Sequence, residues 1–266
     1  MNSLKPNYRI LVLYNPQNAK ATSLLTGVAL AKRINGAVDL LSVSSIKKFN
    51  TQPNQIALIR TFKEEKAEIK SHLNSIGEAL IDKADVPFIF NSRIGRVKEE
   101  IEAHIRLTKP DIVIMGSSNS LRKNGCSSSI LKLVIDNHKG ITLLSNSNSS
   151  LDENLPIALG FINHLSQKNP FIKSLSKNSK QPLKLFQFSA KTSTEDWQSH
   201  KGIVVYNFED QAKKFSNFLR YIKQSNINLL CIQKTLLSFK TFQPQIKKEI
   251  INKLINLETP ILVFPK

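Results

Sequence analysis

The stretch PDIVIMGSSNSLRKNGCSSSILKLVIDN, Pro110 to Asn137, joins an apolar run to a helical pattern through a connection built of Ser, Asn, Gly and basic residues. The chemistry suited to such a connection is anion binding. Glycine lets backbone N–H groups close on phosphate oxygens, and the start of the following helix offers unpaired donors at its positive dipole end. Gly116 breaks the strand, Ser117, Asn119, Ser128 and Ser129 supply hydrogen-bonding side chains, and Arg122 and Lys123 can neutralise charge. Gly116 and Gly125 are the only glycines here, so side chains fill much of the space a glycine-rich phosphate loop leaves open.

Other reactive constellations are not spelled out. His72, His104, His138, His164 and His200 are scattered without metal-ligand spacing, and His72 and His104 fall on predicted helices, where a surface position is expected. Glu99, Glu100 and Glu102 suit the first turns of a helix rather than a metal. Neither a G-x-S-x-G elbow nor a Walker-type lysine motif occurs. Cys126 and Cys231 are too few for a disulfide framework. Cys231, in NLLCIQ, reads as a small core residue, and Cys126 as a loop cysteine near a helix start. Trp197, Phe186, Phe188 and Phe208 could stack nucleobases, yet they sit in or beside strands, where core packing is the expectation. The chain is expected not to be an enzyme.

The elements that must hold the loop alternate regularly. Ile10–Tyr14 is an apolar run of the kind buried in a parallel sheet. A helical stripe follows over about 19–35, a strand at Ala37–Val43, a helix over about 62–84 with Ile69, Leu73, Ile76 and Leu80 on one face, and a strand at Pro87–Phe90. A helix at Arg96–Thr108, a strand at Asp111–Met115, a helix over about 128–137 and a strand at Ile141–Leu144 complete the unit. Strands and helices in that order predict a doubly wound parallel sheet.

SNSNSSLDEN, Ser145 to Asn154, is a polar linker. Five more strands are predicted at Pro156–Ile162, Leu183–Phe188, Ile203–Tyr206, Asn228–Gln233 and Pro260–Phe264, with helices only at Asp210–Gln224 and Gln245–Leu257. KEEIEAHIRLTKPDIVIMGSS lies over QAKKFSNFLRYIKQSNINLLCIQKT, and ILKLVIDNHKGITLLS over EIINKLINLETPILVFP, so the second half reads as a trimmed copy of the first. The expected domains are 1–146 and 155–266.

A chain of 266 residues with 41% hydrophobic content has ample material for a core, and no apolar run approaches the roughly 20 residues needed to cross a bilayer. MNSLKPNYRILVLYNP lacks a signal peptide's longer apolar region, so the expected compartment is the cytoplasm. The net charge of +18 is shared, with 21 basic against 12 acidic residues over 1–150 and 17 against 8 over 151–266. Between Glu153 and Glu195 no acid occurs, while Lys168, Lys173, Lys177, Lys180, Lys184 and Lys191 do. That stretch reads as a solvated surface, with binding of nucleic acid or an anionic surface as the alternative.

RILVLYNPQNAKATSLLTGVALAKRINGAVDLLSVSS, KPDIVIMGSS and the closing PILVFP resemble the universal stress protein family in its tandem two-domain form. The resemblance implies two adenine nucleotide alpha hydrolase-like domains packed as a pseudo-dimer, the second degenerate, and a non-enzymatic regulatory role. Nucleotide-binding members carry G-x2-G-x9-G-[ST] after the fourth strand. Gly116, after Met115, matches the first glycine; Asn119 replaces the second; Ser128-Ser129 stands for the final pair, after eight intervening residues instead of nine. Asn15 stands where an acid is expected after the first strand, and Val43 matches the position whose backbone meets adenine. The implied set for ATP or another adenine nucleotide is Asn15, Val43, Met115, Gly116, Ser117, Asn119, Ser128 and Ser129. In the second half Gln233-Lys234 replaces the Met-Gly pair and no glycine follows Gly202, so that half is expected to be structural or partner-binding. Self-association through the domain or subunit interface and an unknown protein partner complete the implied partners.

Overall fold

The computed structural model describes residues 6–14, 21–45, 55–80, 86–117, 126–146, 151, 156–163, 169–177, 179, 181–188, 202–208, 214–237 and 257–265. The first half is β1 (Tyr8–Tyr14), α1 (Thr22–Ile34), β2 (Gly36–Ser45), α2 (Gln55–Leu80), β3 (Phe88–Gly95), α3 (Val97–Thr108), β4 (Ile112–Ser117), α4 (Cys126–Asn137) and β5 (Ile141–Asn146). The second is β6 (Leu159–Ile162), α5 (Pro170–Lys177), β7 (Leu183–Gln187), β8 (Ile203–Asn207), α6 (Lys214–Gln224), β9 (Leu229–Gln233), the short α7 (Lys234–Leu237) and β10 (Ile261–Phe264). All ten strands form one sheet, ordered β3-β2-β1-β4-β5-β10-β9-β6-β7-β8. Neighbours are parallel except β5 and β10, which run antiparallel.

Hydrogen-bond register makes the repeat explicit. Ile10, Leu11, Val12 and Leu13 pair with Ile112 to Met115 as Leu159, Gly160, Phe161 and Ile162 pair with Leu229 to Ile232. Asp111 Oδ2 accepts the Arg9 N–H at 2.8 Å, and Asn228 Oδ1 accepts the Ala158 N–H at 2.8 Å, the same device at equivalent places. At the join, Leu262 pairs with Leu143, Ile261 with Leu144 and Val263 with Thr142, so a local two-fold axis passes between Leu143 and Leu262. The two halves are copies related by that axis. They also share their cores: Phe171 of α5 meets Tyr8 of β1 edge-on at 5.6 Å between ring centres, and one buried cluster runs from Ile10 to Phe264.

Local sequence explains the packing. α1 buries Leu24, Val28, Leu30 and Ile34 against β1, and a Cβ on Gly27 would come within 2.7 Å of the Val12 side chain, so glycine permits that close approach. Asn35, in the left-handed region, ends α1 by donating its N–H to the Ala31 carbonyl. α5 is a helix absent from the sequence reading. Its amino end is capped by Asn169 Oδ1, which accepts the N–H groups of Phe171 and Ile172, with Pro170 in the first helical position. The linker is also less solvated than predicted: Leu151 is buried and donates its N–H to Thr26 Oγ1 at 3.3 Å. α2 begins at Gln55, seven residues before the predicted start, and β3 runs on to Gly95. The predicted helix Gln245–Leu257 lies outside the described residues except Leu257, which is buried.

His104 corrects the surface expectation. It is 2% exposed beneath α3, with Nε2 2.7 Å from Asp39 Oδ2 on β2. The carboxylate can only accept, so Nε2 carries the hydrogen. Asn91 Nδ2 donates to the other carboxylate oxygen at 2.8 Å. The sequence hid this because Asp39 lies 65 residues away; the stripe Ile101, His104, Ile105 by itself marks an inward face. The His72 side chain lies outside those described.

A second buried histidine ties the halves together. His138 donates from Nε2 to the Ile141 carbonyl at 3.1 Å, and Lys234 Nζ donates to the His138 carbonyl at 3.0 Å. Burial, which outweighs the raising effect of hydrogen bonds to Ile141 and Asp111, pushes the His138 pKa below its usual 6.5, and the Lys234 charge adds to the lowering. The unfolded chain therefore takes up this proton first on acidification. The stability His138 contributes is complete above pH 6.5 and is lost as pH falls through the lowered value. Urea midpoints measured from pH 7.5 to 5 should decline, and His138→Gln should flatten that decline; equal slopes would refute the assignment. Asp39→Ala should cost about 1–3 kcal/mol by the same assay, because it strips the His104 ring of its partner, and His104→Leu in that background should recover part of the loss.

Candidate functional site

β1 lies between β2 and β4. The chain leaves β1 through α1 over one face and reaches β4 through α3 over the other, as the two core clusters show: α1 packs with Ile10, Val12, Leu40 and Ile114, and α3 with Leu11, Leu41, Val113 and Met115. The connections diverge at the carboxyl ends of β1 and β4, the place where an open α/β sheet forms a ligand crevice.

The residues of the implied nucleotide set group around this crevice to different degrees. Gly116, half-buried, stays within β4 in register with Ser145 of β5, and Ser117 ends the strand opposite Asn146, so the glycine does not break the strand where the sequence predicts it. Met115 turns its side chain into the α3 layer, and its carbonyl accepts from Ser145 Oγ at 3.5 Å, so only its backbone is turned to the strand end. Val43, near the end of β2, also packs on the α3 face. α4 begins at Cys126, two residues before the predicted start, which makes Ser128 and Ser129 its third and fourth residues. Ser129 is half-buried. Asn15, Asn119 and the loop residues Arg122 and Lys123 lie outside the described residues, as does Trp197.

The structure adds residues that motif reasoning missed. Tyr14 on β1 pairs with Ser42 on β2, and Ser42 with Ser92 on β3, a polar row across three strand ends on the α1 face. Ser42 is 1% exposed, and its hydroxyl has no hydrogen-bond partner among the described residues. Burial raises the Tyr14 hydroxyl pKa. Facing this row, α1 starts without a side-chain cap: Ala21 is in the left-handed region at φ 44°, and the buried Thr22 hydroxyl has no partner among the described residues either. The signal was present in AVDLLSVSS. Val38 and Leu40 set the inward face of β2, and the same alternation carries Ser42 and Ser44 onto it.

The second half answers each feature differently. Register places Gln233 opposite the position of Gly116 and Ile232 at that of Met115, which moves the sequence pairing of Gln233-Lys234 with Met-Gly by one residue. β9 runs directly into α7, and Lys234 reaches across to His138 instead of standing over a crevice. Phe188 takes the place of Val43 and stacks on Phe208 at 5.4 Å, with Phe218 edge-on to both. Phe186 is fully buried, so the core expectation for these aromatics holds. Cys231 is buried too, which raises its thiol pKa and leaves it inert. Among the described residues no group of His, Cys, Asp and Glu is placed to hold a metal, and no helix is long and apolar enough to cross a membrane.

A family model described as the universal stress protein family matches residues 7–135. No curated protein matches the chain. Among solved structures, a universal stress protein from Archaeoglobus fulgidus is similar with a TM-score of 0.69 and 13% identity, over 100% of this chain and 98% of that one. A functionally unknown protein from Pseudomonas aeruginosa gives 0.61 and 12%, over 97% and 92%. The cytoplasmic domain of a prokaryotic cation chloride cotransporter gives 0.52 and 13%, over 97% and 95%. At such identities the structural likeness establishes the fold, and it does so across the whole chain.

Proposed function

Residues 7–135 of this chain belong to the universal stress protein family, and from that premise we propose a non-enzymatic regulatory protein of the cytoplasm that binds an adenine nucleotide weakly, in its first half only. The observation that carries this reading is the contrast between the two crevices. In the first, Gly116 lies next to the end of β4, α1 begins without a side-chain cap, and the Ser42 and Thr22 hydroxyls stand buried without partners among the described residues. In the second, Asn169 caps α5, aromatic rings fill the strand ends and Gln233 takes the glycine's position. A nucleotide's ribose and phosphates supply acceptors for the unpaired donors of the first.

Weak affinity follows from the loop chemistry. Asn119 and the serines at 128 and 129 offer hydrogen bonds but leave less room for backbone approach than glycines would. Asn15 in place of an acid removes a charged anchor for base or sugar. Self-association in this reading is internal: the β5–β10 join already supplies the pairing that a second subunit would.

Calorimetric titration with ATP, ADP and AMP should give one site per chain, and Gly116→Val should weaken it at least about tenfold, the loss of one to two hydrogen bonds. Two sites per chain, or an unaffected Gly116→Val, would sink the proposal, and sustained phosphate release from ATP would overturn its non-enzymatic part. A second reading rests on α5, where Lys173 and Lys177 are exposed four residues apart on the outer side of a helix that buries Phe171, Ile172 and Leu175. If the 168–191 stretch binds nucleic acid or an anionic surface, affinity should fall steeply with salt and with lysine neutralisation.

A further inference from the structure

A cleft of about 510 Å³ lies between α2 and the carboxyl-terminal half of β3, lined by Ile59, Phe62, Lys63, Lys66, Ser92 and Ile94. We propose that it binds a free single-chain amphiphile with an anionic head, of the class of medium-chain carboxylates.

Of the residues lining the cleft, Ser92 alone also belongs to the polar row at the strand ends of the nucleotide crevice. Its volume falls within the roughly 300–1,000 Å³ typical of small-molecule sites. Ile59, Phe62 and Ile94 give it an apolar body, and Ser92, Lys63 and Lys66 are its polar groups; none of the described residues that line it is acidic. α2 shows why this space stays open. Ile56 is 79% exposed and Ile59 55% exposed, a large apolar surface left uncovered on a helix. The three-residue steps from Ile56 through Ile59 to Phe62, with Lys63 and Lys66 one turn on, place an apolar stretch and two ammonium groups on one side of the helix. Arg60 is committed to Glu64 at 2.9 Å, whereas Lys63 and Lys66 have no ion-pair partner among the described residues. β3 is the outermost strand of the sheet, so among the described residues no strand lies beyond it.

These features select the ligand. An apolar wall favours a hydrocarbon body, and the two ammonium groups of Lys63 and Lys66 favour a carboxylate, sulfate or phosphate head. A nucleotide would put its polar sugar against Ile59 and Ile94. The concave, one-helix geometry suits a single chain rather than a bilayer surface.

Hydrocarbon burial makes chain length the decisive variable. The expected gain is about fourfold in affinity per added methylene until the cleft is full, or about fifteenfold between chains differing by two. Titration of the full-length protein with octanoate, decanoate and dodecanoate, each below its micelle concentration, should show one site with that progression. Decanol should bind at least about tenfold more weakly than decanoate at low salt, and the Lys63→Gln/Lys66→Gln double variant should bind the two alike. That variant lies on an exposed helix face, and its melting temperature checks that it is folded. Gly116→Val should leave decanoate binding unchanged, which separates this site from the nucleotide reading. Affinity independent of chain length, equal binding of decanol and decanoate to the wild type, or binding to anionic phosphatidylglycerol vesicles without binding of the monomeric carboxylates would each overturn the proposal.

Discussion

The antiparallel ladder between β5 and β10 is the constraint on which the rest of the molecule depends. Each half ends its sheet on a strand that, alone, would present unpaired N–H and C=O groups at a buried apolar edge. Pairing Leu143 with Leu262 satisfies both edges at once and joins two five-stranded sheets into one. Because the local axis stands normal to the sheet, α1 and α5 fall on one face and both pack into a single apolar layer. The same axis points the carboxyl ends of the two parallel sets in opposite directions. The two crevices are therefore separated by the width of the sheet, and each was free to change without the other. His138 and Lys234 sit beside this join and strengthen it with a bond between the halves.

Within that symmetric frame the side chains have diverged along a consistent line. On the α3 face of the first half, Asp39, Asn91 and His104 form a hydrogen-bonded set. The register gives Lys184 at the position of Asp39 and Tyr206 at that of Asn91, and Tyr206 lies 4.6 Å from Tyr221 of α6 between ring centres. An aromatic cluster thus replaces a polar network. Aromatic rings bury large areas without demanding full hydrogen-bond satisfaction, whereas a polar network must be complete to be tolerated. Among the described residues the second half also has the shorter first helix: an eight-residue α5 stands where the first half has the thirteen-residue α1.

The sequence made the strands legible because parallel strands buried on both faces are uninterrupted apolar runs, and ILVLY, DIVIM and NLLCI have no other comfortable reading. The start of α5 is equally local, because Asn169-Pro170 spells a cap followed by a first helical residue. Other features depend on partners remote in sequence. His104 is buried because Asp39 lies under it, and Ser42 because Tyr14 and Ser92 flank it in the sheet. Neither fact is contained in a window of neighbouring residues. The one-residue shift at Gln233 has the same origin, since apolar runs align equally well in adjacent registers and only the ladder decides between them.

The unpaired hydroxyls sharpen the choice between a lost crevice and a kept one. A buried hydroxyl without a partner costs about 1–3 kcal/mol, so a half that had abandoned ligands would gain by replacing Ser42 with an apolar residue. Gln187, at the equivalent place in the second half, also has an unpartnered amide nitrogen, so an unsatisfied polar group at this register is not by itself the mark of a ligand site. The difference lies in its surroundings. Gln187 stands next to Phe188 and Phe208, which occupy the strand ends, and its helix start is already capped by Asn169. Ser42 instead faces a helix that begins at Ala21 without a cap, with Thr22 equally unpaired and no aromatic ring in the place of Val43. Two uncompensated hydroxyls and an uncapped helix end, converging on the strand ends beside Gly116, are costs that a ligand's acceptors remove together. That convergence, more than the surviving glycine, distinguishes the first crevice from the second.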